Sequence, residues 1–338
     1  MKLNVPAPAK KGDRVYIISP SAVILPFTEN RTKRAIQHLE TLGFEVVIAP
    51  NANKNMGYVS ASIKDRVADI HAAFLDDKCS IIMAAIGGNH SNQLLSSLDY
   101  ELIKKHPKIF VGYSDNTVLH LALATQANLQ TFYGPCFLNQ FGEYPEVLSY
   151  TLKHFESVIM RDQEPYEIKP SEKYTDEILD WFKGDDSQRS RVLQKNAGFE
   201  WWKKCEAEGW ALPGALPSIN HLIGTKYLPK VDGAILLIDI PEGHTMYEGQ
   251  EVSGVDAWLT DIDNADIMSK LNGLVICRPY KYTPEMVAQL KEVVLRITDK
   301  YEFPILFNVD FGHTDPMITI PIGARMSLNS KLKRFYIS

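Results

Sequence analysis

The sequence holds little that would staple, embed or polymerise it. Its four cysteines, Cys79, Cys136, Cys205 and Cys277, lie far apart in 338 residues without CxxC or CxxH spacing. Neither a zinc site nor a redox pair is indicated, and they read as reduced, mostly buried thiols. No run of about 18 apolar residues is present, which excludes a helical membrane span. The opening MKLNVPAPAKKGDRVYIISPSA lacks the apolar stretch and small-residue site of a secretory signal. A cytoplasmic protein with no membrane partner is expected. Thirty-six Lys and Arg against 41 Asp and Glu give a net charge of −5, and no long basic run could neutralise a phosphate backbone. A nucleic acid polymer is therefore excluded as main partner. Internal repeats and low-complexity segments are also lacking.

What is present is an ordinary globular composition, 45% hydrophobic and 23% charged, long enough at about 150 residues per domain for two domains. From Arg14 the pattern runs strand (VYIISP), helix (Arg34 to Leu42), strand (Phe44 to Ala49), helix (Ser62 to Asp76), then CSIIMAAIGG. It continues with a helix from Asn92 to Leu98, a strand from Lys108 to Tyr113, a helix from Asp115 to Thr125 and the strand-like TFYGP. Wholly apolar strands alternating with amphipathic helices argue a parallel sheet covered on both faces. Residues 1–143 thus read as an open α/β domain. Residues 144–210, charged and aromatic, read as a connector or lid, and 211–338 as a C-terminal domain. Within that last part, the polar stretch 241–266 reads as loop or short helices, and MITIPIGARMSLNSKLKRFYIS alternates like antiparallel strands.

Candidate chemistry falls in loops that follow apolar strands. In KIFVGYSDNTVLHLALAT, Ser114 stands where a buried strand meets a helix. A serine there is lifted out of the sheet, and the free N–H groups and dipole at the helix start can stabilise an oxyanion. That is the layout of a nucleophile elbow, although Asn116 rather than Gly follows Asp115 and the GxSxG string is absent. The same serine also reads as a plain helix N-cap. Gly87 and Gly88, in IGGNHSN, let backbone approach an anion or a carbonyl oxygen, or simply make a turn. A GxGxxG fingerprint with its downstream acid is missing, so no dinucleotide cofactor is expected. In NVDFGHTDP, His313 has the type and setting of a general base toward a serine. Asp310, His313 and Asp315 could instead hold a metal, or the loop could cap itself. Asp239, ending the strand AILLIDI, and Glu242 three residues on are the candidate acids that could orient an imidazole.

These pieces resemble the LD-carboxypeptidase family of serine peptidases, and within it the branch of microcin C self-immunity proteins. The matching segments are IGGNHSNQLL (86–95), GYSD (112–115), YGP (133–135), INHLIGTKYLP (219–229), the strand before Asp239, and NVDFGHTDPMITIPIG (308–323). The resemblance implies a flavodoxin-like open parallel sheet at the N-terminus and a smaller β-rich C-terminal domain. It further implies a Ser-acid-His triad that hydrolyses an amide without metal or cofactor. Carried over by position, Ser114 is the nucleophile, His313 the base, Asp239 the acid with Glu242 as alternative, and the N–H groups of Gly88 and Asp115 form the oxyanion hole. The family usually has Glu at the acid position, so Asp239 is shorter by one methylene. A second departure is ALPGAL at 211–216, where the family tends to a glycine-rich stretch. The implied substrate is a peptidyl or aminoacyl nucleotide, with a murein LD-peptide as alternative and a catalytically weakened binding protein as the rival outside the enzyme class. Asn89 and Trp181 stand as candidate substrate contacts, Trp181 as one of several tryptophans able to stack on a base, and the family's habit implies a homodimer.

Overall fold

The computed structural model describes residues 2–160 and 165–338. Five of the apolar runs form strands β1 (Arg14–Ile18), β2 (Glu45–Ile48), β3 (Cys79–Ala84), β4 (Ile109–Gly112) and β5 (Phe132–Tyr133). They lie parallel in the order β2-β1-β3-β4-β5, the flavodoxin-like arrangement. β4 is buried along its whole length, as a strand covered on both faces should be. The covering helices show why the sequence folds this way. Helix α1 (Glu29–Thr41) buries Ala35 and Leu39, and α2 (Ile63–Leu75) buries Val67, Ile70, Ala73 and Phe74, spacings that place each set on one face. Ser62 caps α2 by accepting the Asp65 N–H at 3.1 Å. Strand order reverses between β1 and β3, and the crevice beyond the carboxyl ends at such a switch point is where open α/β sheets hold ligands. Gly87 and Gly88 follow β3 into that crevice.

The second sheet has eight strands. Its centre is four parallel strands, Glu206–Ala215, Ala234–Asp239, Gly273–Cys277 and Ile305–Val309. Antiparallel edges flank them, Arg325–Asn329 with Arg334–Ile337 on one side and Glu200–Lys203 on the other. Among the features that join the sheets, two involve the backbone directly. Ile320–Pro321, from late in the chain, pairs antiparallel with β5. Gly214 and Ala215 pack onto the helix Thr117–Gln126: the Ala215 N–H donates to Thr117 Oγ1 at 2.9 Å, and a Cβ on Gly214 would meet Thr117 Cγ2 at 2.6 Å. The ALPGAL segment is thus shaped by close contact with the helix that follows Ser114.

Two expectations need correction. Asn92 to Leu98 is not a helix: a 3-10 turn spans Ser91–Leu94, and a separate helix, Tyr100–Lys105, starts at its own cap, Asp99. The Asp115 carboxylate accepts the N–H groups of His90 and Ser91 and so fixes the chain at the turn. Within 241–266 lies a regular helix, Val252–Asn264, burying Val255, Leu259 and Ile262. Its apolar residues are diluted by acids, which masks the period.

Residues 144–210, read as a connector or lid, are built into the second sheet. They supply its edge strands Tyr166–Glu167 and Glu200–Lys203 and the first half of its central strand Glu206–Ala215, which runs across the expected boundary at 210/211, besides a small hairpin, Lys173–Tyr174 with Gln194–Lys195. The segment within the hairpin is fastened at two points. Arg31 on α1 pairs with Asp186 at 2.8 Å, and Arg191 pairs with Glu143 at 2.6 Å and Asp315 at 2.8 Å.

Candidate active site

Ser114 sits directly after β4 with φ of +63°, a left-handed conformation that side chains other than glycine rarely adopt. Holding it costs about 1–3 kcal/mol and marks a place where surrounding structure overrides local preference. Neither the 3-10 turn Ser114–Asn116 nor the helix after it has a side-chain cap, so Ser114 is not a helix cap. Its Oγ is instead 3.0 Å from His313 Nε2. The glycine loop runs against this elbow. A Cβ on Gly87 would lie 2.8 Å from Ser114 Cβ, 3.0 Å from its Oγ and 3.5 Å from the Asp115 nitrogen. Gly88, at φ of +137°, has no room for a side chain against Ser21. Asp115 binds the loop to the elbow through its 3.0 and 2.8 Å contacts with the His90 and Ser91 N–H groups.

Asp239 ends its strand fully buried, and its carboxylate faces the other imidazole nitrogen, 2.9 Å from His313 Nδ1. A neutral imidazole in this setting donates from Nδ1 to Asp239 and accepts the Ser114 hydroxyl at Nε2. Three further groups hold the acid. Tyr133 O–H donates to Asp239 Oδ2 at 2.6 Å, while its oxygen accepts the Ser114 N–H at 3.2 Å. Cys277 Sγ lies 3.8 Å from Oδ1 and accepts the Ile240 N–H at 3.2 Å. Gly312, at φ of +88°, covers the acid so closely that a Cβ there would sit 2.1 Å from Oδ1. Asp239 therefore occupies a pocket built closely around it.

Electrostatics follow from this burial. Desolvation works against a charge on His313, but Asp239 and then Glu242 outweigh it, and the imidazole is pushed up to about 9. Burial, with Asp239 beside it, drives the Tyr133 phenol far above its usual range, so it remains a donor.

Glu242 does not occupy the acid's place. It lies beyond Pro241, past the strand end, and its Oε2 approaches Nε2 of His313 at 3.5 Å, the nitrogen that faces Ser114. Asn89 is exposed at the tip of the glycine loop. Trp181 is half-buried, with the Arg31 guanidinium 4.0 Å over one face of its ring. Trp202, stacked on Phe307, and Trp210, bonded to the Asp232 carbonyl, belong to the core. Of the three residues that could have shared a metal, Asp310 pairs with Arg278 and Asp315 with Arg191, while His313 faces Ser114. Sequence reasoning missed Tyr133, whose position in YGP was visible but whose partner lies 106 residues away.

Comparison with known proteins gives the family. The chain matches the LD-carboxypeptidase N-terminal domain over residues 15–134 and the LD-carboxypeptidase C-terminal domain over residues 208–328. YocD of Bacillus subtilis (strain 168), which carries a carboxypeptidase name, is 35% identical over 97% of this chain and 97% of its own. The microcin C7 self-immunity protein MccF of Escherichia coli is 27% identical over 98% of this chain and 95% of its own. The solved structure of MccF in complex with aspartyl sulfamoyl adenosine superposes with a TM-score of 0.90 at 28% identity, covering 98% of both chains. With both halves matched and the parallel-sheet and C-terminal domains in the arrangement seen in MccF, the chain belongs to the LD-carboxypeptidase family.

Proposed function

We propose that the protein is a serine-type amidase or carboxypeptidase acting on an aminoacyl or peptidyl nucleotide. The observation that carries this reading is the continuous chain from Asp239 through His313 to Ser114, with spacings of 2.9 and 3.0 Å. Ser114 Oγ attacks the scissile carbonyl as Nε2 of His313 takes its proton. The amide C–N bond then breaks, His313 returns the proton to the leaving nitrogen, and an acyl-serine remains. Water attacks the acyl group, gives a proton to His313, and Ser114 is regenerated with release of the acid. Asp239 holds the tautomer and the orientation of the ring. The N–H groups of Gly88 and Asp115, next to the elbow, serve the oxyanion, and the fit of Gly87 against Ser114 supports that role.

The substrate class rests on the similarity to MccF, whose solved complex holds an aminoacyl sulfamoyl nucleoside. Trp181, the tryptophan with one ring face packed on Arg31, is the candidate for stacking on the base. Mass spectrometry of the protein incubated with aspartyl sulfamoyl adenosine tests the reading. Release of aspartate and sulfamoyl adenosine by wild type, and not by Ser114→Ala, is expected. Cleavage of an LD-tetrapeptide alone would move the activity to murein peptides, and equal binding by both forms with no cleavage of either compound would leave a binding protein.

A further inference from the structure

The hydrolytic scheme leaves one carboxylate at the reacting centre without a task. Glu242 Oε2 lies 3.5 Å from His313 Nε2, and that nitrogen is 3.0 Å from Ser114 Oγ. The side chain is 44% exposed, whereas Asp239 is fully buried. Its backbone is fixed: Glu242 bridges to Gly249, and the Gly243 N–H donates to the Glu248 carbonyl at 3.0 Å. The carboxylate is thus presented to the pocket from a closed loop.

Among the described residues, no lysine or arginine lies within salt-bridge distance of Glu242. The buried arginines of the neighbouring loops have carboxylate partners of their own, Arg191 with Glu143 and Asp315, Arg278 with Asp310, and Arg31 with Asp186. An anion beside the nucleophile repels a substrate carboxylate at that spot and attracts a cation. In an aminoacyl group the α-nitrogen is about 2.5 Å from the carbonyl carbon, by standard backbone dimensions. When that carbon is brought to Ser114 Oγ, the amine falls within reach of an acid placed this near the same imidazole.

We infer that Glu242 is the receptor for the free α-ammonium group of the acyl moiety, which makes the protein selective for aminoacyl substrates over N-blocked or amine-free ones. The inference deepens the hydrolase reading and rests on it for the position of the carbonyl. A second consequence concerns the base. The groups facing His313 are Asp239 from its strand end, Glu242, Asp315 on its own loop, the edge-on ring of Tyr113, and Ser114. Asp239 and Glu242 together favour the imidazolium, which cannot accept a proton. An ammonium seated on Glu242 counters that pull and brings His313 toward its neutral, basic form. Selection for the amine therefore acts on kcat as well as on KM.

The probes are aspartyl sulfamoyl adenosine and succinyl sulfamoyl adenosine, its analogue without the amine, titrated calorimetrically into the Ser114→Ala protein. The amine form is expected to bind about tenfold or more tightly, in keeping with a charge-assisted contact. Glu242→Gln in the same background should erase the difference, and Glu242→Asp should keep part of it. Equal affinities, no binding of either compound, or discrimination that survives Glu242→Gln would overturn the inference. Turnover separates it from the reading beneath it. Discriminating binding without hydrolysis by wild type removes the hydrolase and leaves the amine receptor. Hydrolysis of both compounds with equal kcat/KM does the reverse.

Discussion

Removing one oxygen atom, with Tyr133→Phe, tests how the acid and the nucleophile are tied together. The phenol donates to Asp239 Oδ2 at 2.6 Å and accepts the Ser114 N–H at 3.2 Å, and both Tyr133 and Asp239 are fully buried. No bulk solvent replaces either contact. A hydrogen bond to a charged group contributes about 1.5–3 kcal/mol, and an N–H left without an acceptor costs about 1–3 kcal/mol, with some relaxation expected. Urea unfolding should therefore show a loss of about 2–4 kcal/mol with an unchanged slope. The acid also becomes free to turn, so kcat should fall by roughly 10- to 100-fold with KM little altered, because the ring is held less well in the transition state. The carboxylate, deprived of a donor, pulls harder on the imidazolium, so the acidic limb of the rate profile should move upward in pH. A variant within about 0.5 kcal/mol of wild type and with wild-type kcat would refute the reasoning, since buried partners of this kind cannot be lost silently.

Lengthening the acid by one methylene, Asp239→Glu, should lower stability by about 1–3 kcal/mol and slow hydrolysis, because Gly312 packs so closely over the carboxylate that even a Cβ added there would fall 2.1 Å from Oδ1. A faster enzyme with an unchanged melting temperature would show that the pocket adapts. Since Asp239 and Glu242 outweigh burial and push His313 up to about 9, and only the neutral ring accepts a proton, kcat/KM of the free protein should climb with pH up to about 9 and then level. Glu242→Gln should move that limb downward, and a wild-type limb at the ordinary imidazole value would mean that the two carboxylates do not hold the charge.

Legibility in the sequence followed the range of the interactions. Wholly apolar runs such as IFVG and AILLI announce buried parallel strands, and the carboxyl ends of such strands are where function gathers, so Ser114, Asp239 and His313 could each be singled out. The flavodoxin-like strand order came from resemblance, because periodicity gives elements and not their neighbours. The pocket's tightness was invisible. That Gly312 must lack a side chain because Asp239 lies beneath it, or that Tyr133 bridges the acid and the elbow, depends on contacts between distant segments. The choice between Asp239 and Glu242 was hidden for the same reason, since only the fold shows which nitrogen each one faces. The Val252–Asn264 helix carried a readable signal in Val255, Leu259 and Ile262, but the acids between them obscured it.

The two joined sheets also set an order of assembly along the chain. The elbow, the glycine loop and β5 all precede residue 134, yet the base that faces Ser114 comes 199 residues after it, and the strand Ile320–Pro321 that closes onto β5 comes later still. A ribosome must therefore deliver the chain through His313 before Ser114 acquires the imidazole that faces it. A product cut short anywhere before His313 lacks the imidazole that faces Ser114, and under the proposed mechanism has no base. The pairing of serine and imidazole is thus a late event in synthesis, set by the order of segments along the chain.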